Sequence, residues 1–282
     1  MTVERARAVA LQKPWGVADL SPWSSAKTDG AVGEIWFERS NKSAEDSSLL
    51  LKLLFTSQPL SIQVHPNDSY ANSIGLPNGK TEAWYVLSAA PGSKVALGVR
   101  EEITSQQLRS AIAKGTLPGM MRWRPVATGE TISVPAGTIH AIGAGLVIAE
   151  IQQRSDATFR MFDYGRQREL HIDNAVAVAD TVPVDTRAQP KRLTDQRTVL
   201  VSGPHFVFES IALAPNSVWT LMATQETWML VAKGTARAGT SAITTGDAIF
   251  AKSDSVEIRA GDLGVQILVA YPDTAPVKAL LQ

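Results

Sequence analysis

Residues 129–140 read GETISVPAGTIH. Ile132 and Val134 alternate with Thr131 and Ser133, as a half-buried strand requires, and Pro135 with Gly137 then closes a tight turn. The return strand opens at His140, and in a small barrel the first inward residue of such a strand points into the mouth. LSIQVHPND, residues 60–68, makes the complementary wall. It reads as a strand with Leu60, Ile62 and Val64 on one face and Ser61, Gln63 and His65 on the other, ending at Pro66. Three polar side chains on one strand face need water or a shared partner, and His140 is aimed at the same cavity.

Outward from these two segments the chain is a succession of short strands, among them GEIWFER, SSLLLKLLF, TEAWYVLS, KVALGV, GLVIAEIQ and DATFRMFDY, separated by Gly, Pro, Asn and Asp turns. That density predicts an all-β sandwich or barrel. Helix is a small insertion near 101–120, where ITSQQLRSAIAKG has a Ser/Thr start, Leu108, Ala111 and Ile112 at helical spacing and Gly115 as a stop; NDSYANSIG adds a turn or two. Apolar periodicity lapses over Asp180–Gln196 and resumes with HFVFESIAL, ETWMLVAKGTA, DAIFAK, SVEIRAG and VQILVAY. Two β domains are therefore expected, residues 1–187 and 195–282. TGDAIFAKSDSVE in the second echoes TGETISVPAGTIH in the first but has no histidine, so chemistry is expected in the first alone.

Composition narrows the chemistry. The 282 residues are 44% hydrophobic, as a filled core requires, and 27 Lys+Arg balance 27 Asp+Glu. No whole-molecule field favours nucleic acid or an anionic membrane, so any bound anion needs a local site. The apolar run LLLKLLF is far short of the ~20 residues of a membrane span, and MTVERARAVALQ lacks a signal-peptide core, so a cytoplasmic protein is expected. With no cysteine, a metal must be held by His, carboxylate or amide ligands, and only four histidines exist.

Gly129, Pro135, Gly137 and His140 stand at the spacing of the second motif of the cupin superfamily. The first cupin motif supplies two histidines flanking one residue, then a glutamate; here Gln63 and His65 flank Val64, and Glu82 follows after a loop. Two imidazoles, one carboxylate and one amide suit Zn²⁺ or another divalent first-row ion with room for a ligand. LSIQVHPND, GKTEAWYVL, VPAGTIHAIGAGLVIAEIQQRSDATFRMFDYGR, KPWG and GEIW together resemble the type I mannose-6-phosphate isomerases in their short bacterial form, over roughly residues 13–175. The resemblance implies two cupin-type jelly rolls, one zinc per chain, and interconversion of mannose 6-phosphate and fructose 6-phosphate. It implies Gln63, His65, Glu82 and His140 as metal ligands, water being an alternative to Gln63, and Arg160 as the essential arginine. It also points to Lys52 and Ser61 for the phosphate, and to Lys80, Glu150 and Asp156 around the sugar, Lys80 and Glu150 joining Arg160 in the catalytic set.

The reaction asks for such groups independently. Moving a proton between neighbouring carbons through an enediol needs a base, charge stabilisation at the carbonyl oxygen and a grip on the phosphate. Glu150 and Arg160 fall on even positions of one strand system, LVIAEIQ and DATFR, predicting that they face the same side as Asp156 and Thr158. A cupin oxygenase, the first alternative, would use Fe²⁺ with three histidines or two and a carboxylate; Gln63 in a histidine's place argues against it. The second, a non-enzymatic sugar-phosphate binder, would lack the base and the arginine. His171 and His205 are expected to be ordinary histidines, and Trp84 shares parity with Glu82 and Lys80.

Overall fold

The computed structural model describes residues 2–26, 29–41, 47–184 and 188–282. Strands β1 (Thr2–Arg5), β2 (Arg7–Val17), β3 (Val32–Glu38), β4 (Leu49–Thr56) and β5 (Ile62–Val64) lead to helix α1 (Asp68–Ser73). Next come β6 (Glu82–Ala89), β7 (Lys94–Val99), α2 (Ser105–Lys114) and α3 (Leu117–Met120). Then β8 (Met121–Pro125), β9 (Thr131–Val134), β10 (His140–Ile142), β11 (Leu146–Gln153) and β12 (Phe159–Phe162) run to α4 (Ile172–Val178). The remainder is β13 (Lys191–Arg192), β14 (Arg197–Ser202), β15 (Val207–Leu213), β16 (Val218–Ala223), β17 (Thr227–Ala238), β18 (Ser241–Thr244), β19 (Ala248–Lys252) and β20 (Asp254–Tyr271).

The fold is all-β with a small helical insertion, as expected. A six-stranded sheet in the order β2-β3-β4-β11-β6-β9 faces a five-stranded sheet, β12-β5-β10-β7-β8, and a nine-stranded sheet holds the rest together with β1. Strand alternation sorts the six-stranded sheet into two faces. Leu54, Trp84, Val86 and Ile148 turn inward against Val95, Leu97 and Ile142 of the five-stranded sheet. Ile35, Leu51, Leu53, Ala83, Ala149 and Ile151 turn outward against Leu200, Phe206, Phe208, Trp228, Phe250 and Leu268 of the nine-stranded sheet. This β4 face explains LLLKLLF: the strand is buried on both sides and therefore reads as a continuous apolar run broken only by Lys52. The outer face of the five-stranded sheet is covered by Leu108, Ala111, Ile112, Leu117 and Ala175 of the helices.

Helix α2 has the expected limits for the expected reasons. Thr104 Oγ1 accepts from Gln107 N at 3.1 Å while Gln107 Oε1 accepts from Thr104 N at 2.8 Å, and Gly115 caps the other end at φ 69°. Helix α4 was not anticipated: IDNAVAV is too short to show a helical period and contains no end signal beyond Asp173. SVEIRAG and VQILVAY, expected as separate strands, are one 18-residue strand, β20, whose partners change from β16 to β15 along its length. The internal echo has a backbone counterpart, since Gly129 and Gly246 occupy matching Thr-Gly-acid turns at φ 88° and 90°. Residues 185–187, inside the expected linker and including the expected domain limit at 187, lie outside the described residues. No described helix is long and apolar enough to cross a membrane.

Candidate active site

Two rows of directly opposed residues make the site. In the six-stranded sheet Trp36, Lys52, Glu150, Trp84 and Ile132 stand opposite one another on successive strands. In the five-stranded sheet Arg160, Gln63 and His140 do the same. Between the sheets lies a cavity of about 280 Å³ lined by Lys52, Ser61, Gln63, Lys80, Glu82, Glu150, Asp156 and Arg160 among others. Glu150 and Arg160 thus line one cavity, but not on one strand system: they belong to different sheets and face each other across the space, a crossing that parity alone does not reveal.

At the floor, ligand-capable atoms of His65, Glu82 and His140 lie within 4.8 Å of one another, and all three side chains are buried. Each imidazole is oriented by a backbone carbonyl. His65 Nδ1 donates to Ala157 O at 2.8 Å and His140 Nδ1 to Thr138 O at 2.8 Å, which leaves each Nε2 as a lone pair turned inward. His65 Nε2 sits 3.3 Å from Glu82 Oε1, and His140 Nε2 3.8 Å from Glu82 Oε2. His65 Nε2 and Glu82 Oε2 are buried without a hydrogen-bond partner among the described residues. Acceptors facing acceptors at a buried site suit a cation between them. A proton does not meet the need, because burial and then the Lys80 charge push His65 down to about 3. Burial also pushes Glu82 upward, but the Lys80 ammonium at 3.1 Å outweighs it and holds the carboxylate well below its usual range. Two neutral imidazoles and a carboxylate form a metal-binding cluster. Gln63 stands beside it, its Nε2 3.3 Å from His140 Nε2 and its Oε1 accepting from Ser61 Oγ at 3.0 Å. An amide flip would turn Oε1 toward the cluster and let Nε2 donate to Ser61.

Above the floor, Glu150 and Lys52 form a buried pair with Nζ 3.4 Å from Oε1. Trp84 Nε1 donates to Glu150 Oε2 at 3.0 Å, and Lys52 Nζ donates to Gln152 Oε1 at 2.6 Å while lying 4.6 Å over the Trp36 ring. Burial, reinforced by Glu82, raises Glu150 to about 7 against the opposing pull of Lys52. Burial pushes Lys52 down, with Glu150 resisting. For Lys80 burial acts downward as well, but Glu82 and Glu150 prevail and its ammonium is held more tightly than usual. Asp156 is exposed at the mouth.

Several lining residues were not singled out by the sequence. Glu34 pairs with Lys13 at 3.3 Å and accepts from Trp36 Nε1 at 2.7 Å, and Arg168 lies 5.0 Å over the Trp15 ring while pairing with Asp163. Their signals were KPWG and GEIW, which carried the family resemblance without assigned roles. His171 is not idle either: its Nδ1 accepts from Arg160 N at 3.0 Å, supporting the strand that presents the guanidinium, whose Nη1 donates to Glu169 O at 2.8 Å.

No family model matches the chain. It is similar to a mannose-6-phosphate isomerase of Streptococcus mutans, 41% identical over 167 residues, covering 56% of this chain and 52% of that protein. The mannose-6-phosphate isomerase ManA of Bacillus subtilis is 38% identical over 146 residues, 49% of this chain and 46% of its own length. The chain thus spans about half the length of the curated relatives it matches. Across the fold, it superposes on the crystal structure of a mannose 6-phosphate isomerase from Bacillus subtilis with a TM-score of 0.83 at 23% identity, covering 96% of this chain and all of that one. A mannose 6-phosphate isomerase structure bound with zinc and yttrium aligns with a TM-score of 0.75 at 16% identity over 97% of this chain and all of that one. The all-β architecture of several sheets is therefore the fold of those structures.

Proposed function

We propose that this chain is a metal-dependent aldose–ketose isomerase that interconverts mannose 6-phosphate and fructose 6-phosphate. One observation carries the reading: the metal-binding cluster of His65, Glu82 and His140 meets, through Glu82, the cavity that is also lined by Glu150, an acid poised at about 7, and by Arg160 on the other sheet. The 38–41% identity to named isomerases supports it. His65, Glu82 and His140 would hold Zn²⁺, with Gln63 or water completing the set, and the bound ion would supply Lewis-acid polarisation of the sugar oxygens.

The chain's own residues account for the rest of the chemistry. Glu150 is suited to take the proton from one carbon and return it to its neighbour, because an acid near the working pH can do both. Arg160 offers fixed positive charge to the developing oxyanion, and Lys80 keeps Glu82 ionised while adding charge to the floor. The phosphate dianion is matched by Lys52 and Ser61, joined by Lys13 and Arg168. A redox oxygenase has no use for this cationic lining. We assign residues 1–187 to a catalytic domain that lends β1 to its neighbour, residues 195–282 to a metal-free one, and the protein to the cytoplasm. The test is turnover of mannose 6-phosphate by metal-reconstituted protein in an assay coupled to fructose 6-phosphate, with oxygen uptake followed in parallel. Oxygen consumption without isomerisation would overturn the reading.

A further inference from the structure

We infer that the second β unit sets the orientation of a metal ligand in the first, through the carboxylate of Glu226. This rests on the metal site of the proposed function. Glu226 precedes β17 and is 7% exposed, yet its carboxylate leaves its own unit and receives the start of β4. Oε2 accepts from Ser48 N at 2.7 Å and Ser48 Oγ at 3.0 Å; Oε1 accepts from Leu49 N at 2.9 Å and Trp228 Nε1 at 3.1 Å. Four donors on one buried carboxylate fix its position and theirs, since hydrogen bonds to an ionised acceptor are the strong ones.

From Ser48 the connection runs on into the site. Ser48 O accepts from Arg154 N at 2.9 Å, and the Arg154 side chain returns to Ser47 Oγ, with Nη2 at 2.7 Å. Arg154 opens the segment 154–158 between β11 and β12, in which Ser155 Oγ accepts from Ala157 N at 3.3 Å and Gln152 Nε2 donates to Ser155 O at 2.5 Å. The segment includes Ala157, whose carbonyl accepts the hydrogen bond from His65 Nδ1. That carbonyl determines which nitrogen of His65 faces the cluster. Glu226 is thus a positioning residue, joined to His65 through Ser48, Arg154 and Ala157, and the second unit has a part in the chemistry while holding none of its groups.

Substituting the outer partner of a metal-ligating histidine typically costs 10- to 100-fold in affinity, and for Glu226, three links beyond that partner, a smaller factor of roughly 3- to 10-fold is expected. Glu226→Gln, which sets an NH₂ against backbone donors, should weaken Co²⁺ binding to the metal-free protein by that factor and alter the cobalt absorption bands. Glu209→Gln is the control. It disrupts the buried Arg197–Glu209 pair of the same unit at 2.8 Å, which among the described residues has no hydrogen bond to β4, and should lower Tm while leaving Co²⁺ affinity within twofold of wild type. Equal Co²⁺ affinity in wild type and Glu226→Gln overturns the inference and leaves the isomerase reading standing. The expected affinity ratio in a protein that does not turn over mannose 6-phosphate overturns that reading and leaves the inference standing. If Glu226→Gln does not fold, wild-type hydrogen exchange decides, because coupling is reciprocal. Metal should slow exchange of the Ser48 and Leu49 amides, and unchanged rates at both overturn the inference.

Discussion

Lys52 and Glu150 stand directly opposite each other in the β4–β11 ladder, with Nζ 3.4 Å from Oε1 and each side chain 6% exposed. A lysine in a strand buried on both faces cannot reach water, so its charge is spent on groups inside the cavity. Its donors already meet Gln152 and Glu150, and a phosphate would add to this arrangement. Losing one charge-assisted contact costs roughly 1.5–3 kcal/mol, or about 10- to 150-fold in rate. At a pH where Glu150 is fully ionised in both proteins, Lys52→Met is therefore expected to lower kcat/KM for mannose 6-phosphate by that factor and to spare the slow reaction of unphosphorylated mannose. Steady-state kinetics on both sugars check this, and equal losses would assign Lys52 to Glu150 alone.

The pH profile should report Glu150. A general base works ionised, so activity rises with pH through its pKa, which burial places at about 7. Lys52 from β4 and Lys80 before β6 pull it down, Glu82 from β6 and Glu34 from β3 push it up, and bound metal adds a further downward pull. The ascending limb of kcat/KM is accordingly expected at or below pH 7. Lys52→Met should move that limb to higher pH, and Glu150→Gln should remove it with most of the activity. A limb unmoved in Lys52→Met would exclude Glu150 as its source.

Metal should stabilise as well as activate. A ligand that binds only the folded chain adds about 4.1 kcal/mol at a thousand times its Kd, so chelator is expected to lower Tm and Zn²⁺ to restore it. His140→Ala and Glu82→Ala should bring metal content well below one per chain, whereas Arg160→Ala should keep metal and lose kcat. Elemental analysis beside calorimetry separates these outcomes. Arg160→Ala with wild-type kcat would remove the arginine from the chemistry.

The turn that aims His140 has its own test. Gly137 lies at φ 90°, its N–H donates to His65 O at 2.9 Å, and an added Cβ would meet Asp180 Oδ2 at 2.8 Å. The left-handed region alone costs a residue with a Cβ roughly 1–2 kcal/mol. Gly137→Ala should lose at least that much stability in urea unfolding and bind Co²⁺ more weakly than wild type. Unchanged metal affinity would show that the turn sets stability only.

The site was legible to different depths for different reasons. Gln63, His65 and His140 stood out because strand alternation and a Pro/Gly turn are local rules that place neighbours on one face, whereas Glu82 was singled out only by the motif resemblance. The opposition of Glu150 and Arg160 could not stand out, since it depends on which sheet each strand joins. Glu34 and Trp36 were hidden in GEIW, where an acid and an aromatic read as ordinary strand residues until β3 is seen beside β4. Glu226 left no signal at all: a glutamate before a strand is common, and its partners in the first unit lie 177 and 178 residues away in sequence.

Strand β1 pairs antiparallel with β19, Thr2 opposite Lys252 and Arg5 opposite Ile249. Strand β1 therefore leaves the ribosome long before the strand it pairs with. At roughly 5–20 residues per second that interval is on the order of 10–50 s, during which β1 has an unclaimed hydrogen-bonding edge and the second sheet is unfinished. Pairing across such a separation is slow to search for and leaves a β19 edge that β1 of another nascent copy can fill just as well. Crowded synthesis should consequently produce strand-exchanged dimers, whereas dilute refolding should return monomeric pairing, so the yield of correctly closed chains is set by concentration and timing as much as by stability.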